Sequence, residues 1–153
     1  MKIQEFRPEH AAEYEALNRS WLVAHGLIEE ADEPQLVDPQ CTIIEAGGQI
    51  FVAVEDGVVI GTCGIAPHGE GEFEIVKLAV VASAQGRGIG RQLIDVCLEF
   101  ARTHAAQRIT LLSSSLLGPA LRLYERAGFR RETPPATNPY VTADVYMVLD
   151  VKP

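Results

Sequence analysis

Gln85-Gly86-Arg87-Gly88-Ile89-Gly90-Arg91 sets three alternating glycines between a glutamine and two arginines. Glycines at this density let main-chain N–H groups approach a ligand closely. A helix starting at the same point adds its unpaired first-turn amides and the positive end of its dipole. The guanidinium groups of Arg87 and Arg91 add two full charges. The chemistry these residues offer is capture of an anion, a phosphate or pyrophosphate.

Two elements must hold this turn in place. Before it, Ile75 to Val81 is β-branched and aliphatic apart from Lys77, the pattern of one buried strand. After it, Ile89, Leu93, Val96, Cys97 and Phe100 share a helical face, so the spacing predicts a helix from the turn to about His104. Several anion-binding loops share this layout, and their spacings differ. The dinucleotide pattern G-x-G-x-x-G needs glycine where Arg91 stands, and no acidic residue ends the next strand, Arg108 to Ser113. A P-loop needs Gly-Lys-Ser/Thr, which is absent.

Gln85-x-x-Gly88-x-Gly90, preceded by Leu78-Ala79-Val80, resembles the acetyl-CoA-binding signature of the GNAT superfamily, the acyl-CoA-dependent N-acyltransferases. Pro119 to Phe129 is similar to a later motif of that family, A-x-x-L-Y-x-x-x-G-F, and starts 29 residues after Gly90 with one helix and one strand between. The resemblance covers essentially the whole chain, most securely 72–132.

The resemblance implies an α/β (α+β) GNAT fold. Its sheet is mixed, mostly antiparallel and twisted, with helices on both faces and a central parallel strand pair that splays to admit the pantetheine arm. It implies transfer of an acetyl group from acetyl-CoA to a primary amine in a ternary complex, with no metal. The cofactor-binding residues carried over are Leu78, Ala79, Val80, Gln85, Gly86, Arg87, Gly88, Ile89, Gly90, Arg91 and Tyr124. Tyr124 stands where the family's general acid lies, and a phenol there can hydrogen-bond to the leaving thiolate. Glu74, heading Glu-Ile-Val-Lys-Leu-Ala-Val, stands where the histone acetyltransferase branch has its base; Glu72 on the same strand face is a rival. The backbone of Leu78 to Val80 is where the family positions an oxyanion donor. The acceptor pocket falls to Asn18, Trp21, the Glu29 to Glu33 cluster and Asn138 to Asp144, with Trp21 and Tyr140 read as core residues. A second reading is a non-catalytic acyl-CoA-binding or sensor module on the same fold.

The rest of the chain bounds these readings. A length of 153 residues, 47% hydrophobic, with mean hydropathy +0.07, suits one domain, 1–153. No apolar run is long enough to span a bilayer, and Met1 to Glu5 is no signal peptide, so a cytoplasmic protein without membrane partners is expected. Cys41, Cys63 and Cys97 form no C-x-x-C pair, which argues against disulfides and structural zinc; Cys63 and Cys97 read as small buried hydrophobes. Net charge is −8: residues 1–80 carry 15 acidic and 4 basic residues (−11), residues 81–153 carry 6 and 9 (+3). No basic stripe supports nucleic-acid binding. The imbalance instead favours a cationic amine acceptor on the acidic side of the cleft. A homodimer is allowed.

In chain order, Lys2 to Arg7 reads as an edge strand, and Pro8 opens a helix that stops near Gly26. Leu27 to Pro39 reads as a short helix or ordered loop. Gln49 to Glu55 and Val58 to Ala66 pair as a hairpin about Asp56-Gly57. Pro119 opens and Gly128 closes a helix. Phe129 to Glu132 begins a strand, and Val141 to Val151 closes the sheet.

Overall fold

Asp56 and Gly57 both take positive φ, 52° and 76°. That is the two-residue turn whose twist matches that of its flanking strands, and it folds β2 (Gln49–Glu55) onto β3 (Val58–Pro67). In the computed structural model, which describes residues 1–151, this hairpin is part of a seven-stranded sheet. Lys152 and Pro153, the last two residues of the expected 1–153 domain, lie outside the described residues. The remaining strands are β1 (Lys2–Glu5), β4 (Glu72–Val80), β5 (Arg108–Ser113), β6 (Arg130–Glu132) and β7 (Val145–Asp150). Their order is β1-β2-β3-β4-β5-β7-β6, with β4–β5 parallel and the other five pairings antiparallel. The mixed, mostly antiparallel sheet is the expected one.

Period-two alternation divides the core between the sheet's faces. Ile50 and Val52 of β2 pack with Tyr14 of α1 (Ala11–Ala24) and with Ile43. Ala53 goes to the other face, where Cys63, Ile75, Leu111 and Met147 meet α3 (Ile89–Thr103) and α4 (Gly118–Arg126). Leu93 and Cys97, on the predicted face of α3, are fully buried, and so is Ile94 beside them. Each aliphatic side chain of this size contributes about 1.5–3 kcal/mol by leaving water. Cys63 and Cys97 are buried free thiols and Cys41 is exposed.

Two strand boundaries differ from the sequence reading. The last strand starts at Val145, not Val141, because the amides of Val141 and Thr142 donate to the Glu29 carboxylate at 2.9 Å each and are unavailable to a ladder. The motif strand runs Glu72–Val80, with Val81 turning out of it. Leu27 to Pro39, read as a short helix or ordered loop, holds a short helix, α2 (Glu33–Val37), and a wide helical turn, Gln40–Ile44, follows it.

Candidate active site

The parallel pair that builds the site is short. Glu72 to Ile75 of β4 match Arg108 to Leu111 of β5, and the pairing stops there. Beyond it Leu112 and Ser113 pair only with β7, and Ala79 and Val80 only with β3. The expected splay is therefore present, and one edge of β4 from Lys77 onward is open towards β5. The register breaks between Thr62 and Gly64, where Lys77 and Leu78 together face Cys63, a bulge in β4 at Lys77, whose φ of 53° is left-handed. The Thr62 hydroxyl donates to the Lys77 carbonyl (2.9 Å), and the Asn18 amide donates to Thr62 Oγ1 (2.9 Å) and to the Tyr14 carbonyl (3.0 Å). Asn18 and Thr62 are almost wholly buried, so α1 pins the bulge from one face of the sheet.

A cavity opens where the strands part. Glu74 and Leu78 of β4, Ser113 at the end of β5 and Ser114 after it, and Tyr124 of α4 border it. Glu74 and Tyr124, far apart in sequence, thus share one space, whereas Glu72 does not border it. Burial raises the Glu74 carboxyl above the ordinary glutamate range, with positive charge at His68 and Lys77 opposing the rise. Burial raises the Tyr124 phenol as well. Trp21 and Tyr140, read from sequence as core residues, are half-buried and border the cavity. Asn18 borders it too, although its amide is committed to the bulge.

Lys77 is the residue whose role the sequence reading missed. Its ammonium lies 2.8 Å from Asp32 Oδ1, with the two side chains 7% and 4% exposed, and 5.8 Å from the centre of the Tyr140 ring. The second Asp32 oxygen accepts the Glu29 amide at 2.8 Å. The Glu29 carboxylate in turn accepts the amides of Val141 and Thr142 and the Thr142 hydroxyl. Burial alone would raise the Glu29 carboxyl, but these three donors outweigh it and hold it low. Asp32 and Glu29 therefore strap β4, the segment before α2 and the loop before β7 together over the cavity. One lysine in an otherwise apolar strand was the signal available, because a buried ammonium requires an acidic partner. Which carboxylate would answer it was not readable. Glu33 pairs with Arg19 instead, so of the Glu29 to Glu33 cluster only Asp32 borders the cavity.

At the far end of β4, Gly86 and Gly88 have φ of 82° and 79°, and Gly88 caps α3 in the left-handed conformation. From Gly86 to Arg91 the main-chain amides find no acceptor among the described residues. Such an array is matched to an anion. Gly90 serves a different purpose: a Cβ there would lie 3.2 Å from Leu123, so this glycine lets α3 approach α4, the helix that carries Tyr124. Ile89 is buried, and Ala79 faces the core. The Gln85 amide donates to the Val80 carbonyl (3.1 Å), tying the turn to the strand end. Arg87 pairs with Glu55 through both guanidinium nitrogens (3.1 and 2.5 Å), and Arg91 pairs with Asp95 (3.0 Å). All four side chains of these two ion pairs lie at the surface, where they can exchange partners. Among the described residues no cluster of His, Cys, Asp or Glu is arranged to hold a metal ion. No helix there is long and apolar enough to cross a membrane.

The chain is 24% identical over 116 residues to N-acetyltransferase family 8 member 2 of Rattus norvegicus, covering 72% of this chain and 51% of that protein. It spans about half or less of the length of the curated relatives it matches. A GNAT-family acetyltransferase of Staphylococcus aureus Mu50 superposes over 99% of both chains with a TM-score of 0.89 at 20% identity. A GNAT-family acetyltransferase of Brucella melitensis, solved in complex with acetyl-CoA, is 26% identical with a TM-score of 0.73, over 99% of this chain and 88% of that one. The model of the acetyltransferase (GNAT) family matches residues 9–129. The chain belongs to that family.

Proposed function

We propose that the protein is an acetyl-CoA-dependent N-acetyltransferase in which Glu74 accepts a proton from a primary amine and Tyr124 donates a hydrogen bond to the departing sulfur. The observation carrying this reading is that Glu74, Tyr124 and Leu78, on the open edge of β4, border one cavity. Acetyl-CoA fits the residues present: unpaired amides from Gly86 to Arg91 suit its pyrophosphate, and the free edge at Leu78 to Val80 suits its amide-bearing arm. It supplies the acetyl group and a thiolate leaving group. An amine of pKa about 10.4 is mostly protonated at neutral pH, and a carboxyl raised by burial is a better match for its proton. Tyr124, raised likewise, keeps its proton and is a donor at every physiological pH. The cationic acceptor inferred from the charge imbalance draws support at short range from Glu74 and Asp32 beside the cavity, although Lys77 already neutralises Asp32.

Thiol release from acetyl-CoA over a panel of amines tests this function. Turnover is expected with at least one primary amine, and Tyr124→Phe should lower it roughly 10²-fold while CoA still raises the melting temperature as in the parent. Binding of CoA without turnover on any amine would instead favour the acyl-CoA sensor. An undiminished rate in Tyr124→Phe would remove Tyr124 from the chemistry.

A further inference from the structure

Glu74 borders a second cavity as well as the first. With acetyl-CoA and an amine in the first, the second is the remaining space beside the carboxyl. Its volume, about 350 Å³, has room for several waters. His68 lines it too. The His68 amide donates to the Glu72 carbonyl (2.8 Å), which carries the β3–β4 ladder two positions past the Ala66–Glu74 pair. Side chains two apart share a face of a sheet, so His68 and Glu74 stand on the same face. The cavity thus joins a half-buried carboxyl to a solvent-exposed imidazole.

A base that accepts a proton in each turnover must return it to water before the next. Few of the titratable groups around Glu74 can take that proton. The Lys77 ammonium is held by Asp32, whose other oxygen accepts the Glu29 amide. The Glu29 carboxyl is held low by its three donors from the loop before β7. Burial raises the phenols of Tyr124, Tyr140 and Tyr146, so each keeps its own proton at neutral pH. Glu72 borders neither cavity. His68 remains, and an imidazole is the side chain that takes and returns a proton near neutral pH. Elsewhere the walls offer few competing hydrogen bonds. Pro34, Pro135 and Pro139 have no N–H, and the Thr42 hydroxyl and both ends of the Asn138 amide are engaged within the protein.

Resting on the acetyl-transfer reading of Glu74, we infer that His68 relays the acceptor's proton from Glu74 to solvent. The amine N–H bond breaks as the Glu74 O–H bond forms. That O–H then gives its proton, through water in the second cavity, to the free nitrogen of the His68 imidazole, which loses it to bulk water or buffer. His68 lines only the second cavity and acts through Glu74, without touching acetyl-CoA or the amine.

Two measurements test the relay, one of them independent of turnover. The first follows the His68 ring by NMR through a pH titration of the parent and of Glu74→Gln. Loss of the neighbouring carboxylate should lower the His68 midpoint by about half a pH unit or more. The second is kinetic, in a dilute, bulky buffer at pH 7. His68→Gln should lower kcat about ten-fold with kcat/KM nearly unchanged, because the slowed step follows the chemistry. Added imidazole should restore kcat in His68→Gln and leave the parent unaffected, a rescue that a merely structural role would not show. A His68 midpoint unmoved by Glu74→Gln overturns the inference, as does an undiminished kcat in His68→Gln or a loss that imidazole does not restore. A moved midpoint in a protein that turns over no amine upholds the proton contact between His68 and Glu74 and fails the acetyl-transfer reading instead. Turnover with an unmoved midpoint does the reverse.

Discussion

At the scale of single residues, Glu74 bears a cost that its position explains. Its carboxyl is raised by burial, so its ionised form is less stable folded than unfolded. The penalty sets in as pH rises past the ordinary glutamate value of about 4.3 and is complete once pH exceeds the raised folded value. Glu74→Gln is therefore expected to melt with the parent near pH 4 and above it at pH 7–8, by scanning calorimetry at both. The same variant should lose the acidic limb of the kcat/KM profile and gain activity only at high pH, where the amine loses its proton unaided. An acidic limb unchanged in Glu74→Gln would return the base role to Glu72 or to water. That Glu74 and Tyr124 would meet was legible only through the two motifs, since nothing local in the sequence brings together residues fifty positions apart. The depth of each side chain, and hence the direction of its titration, depends on neighbours from α1 and the loop before β7 that no motif marks.

At the scale of elements, the strands and helices with clear periodicity were legible: the β2–β3 hairpin from Asp56-Gly57, α3 from its apolar face, α4 from Pro119 and Gly128. The elements without periodicity were not. The segment before α2 and the start of that helix take their form from long-range partners, Thr142 on Glu29, Lys77 on Asp32 and Arg19 on Glu33. The buried Asp32–Lys77 pair is the test of that dependence. Asp32→Asn leaves an ammonium buried without its counter-charge and should cost about 3–5 kcal/mol in denaturant unfolding. Replacing both, Asp32→Leu with Lys77→Met, should recover most of this, leaving about 1 kcal/mol for the lost cap on the Glu29 amide. Strict additivity of the two single changes would show that the ion pair does not couple the segment before α2 to β4.

At the scale of the whole molecule, the fold class was legible because strand, glycine turn and helix recur in a fixed order. The length of the parallel pairing was not, because it is set by the bulge at Lys77 and its hold on Asn18 and Thr62. That short pairing has a consequence for how the protein breathes. Four strands lie on one side of the parting and three on the other, joined through Glu72–Ile75 and Arg108–Leu111. A strand in the middle of the order therefore carries, over Lys77–Val80, amide hydrogens as open to water as those of an outer strand. By mass spectrometry in deuterated water, the Lys77–Val80 amides facing β5 should exchange rapidly in the free protein and slowly once acetyl-CoA is added, while the β2–β3 ladder exchanges alike in both. Unaltered exchange along Lys77–Val80 would mean that the ligand leaves the parting unfilled; slowed exchange would mean that it completes the sheet.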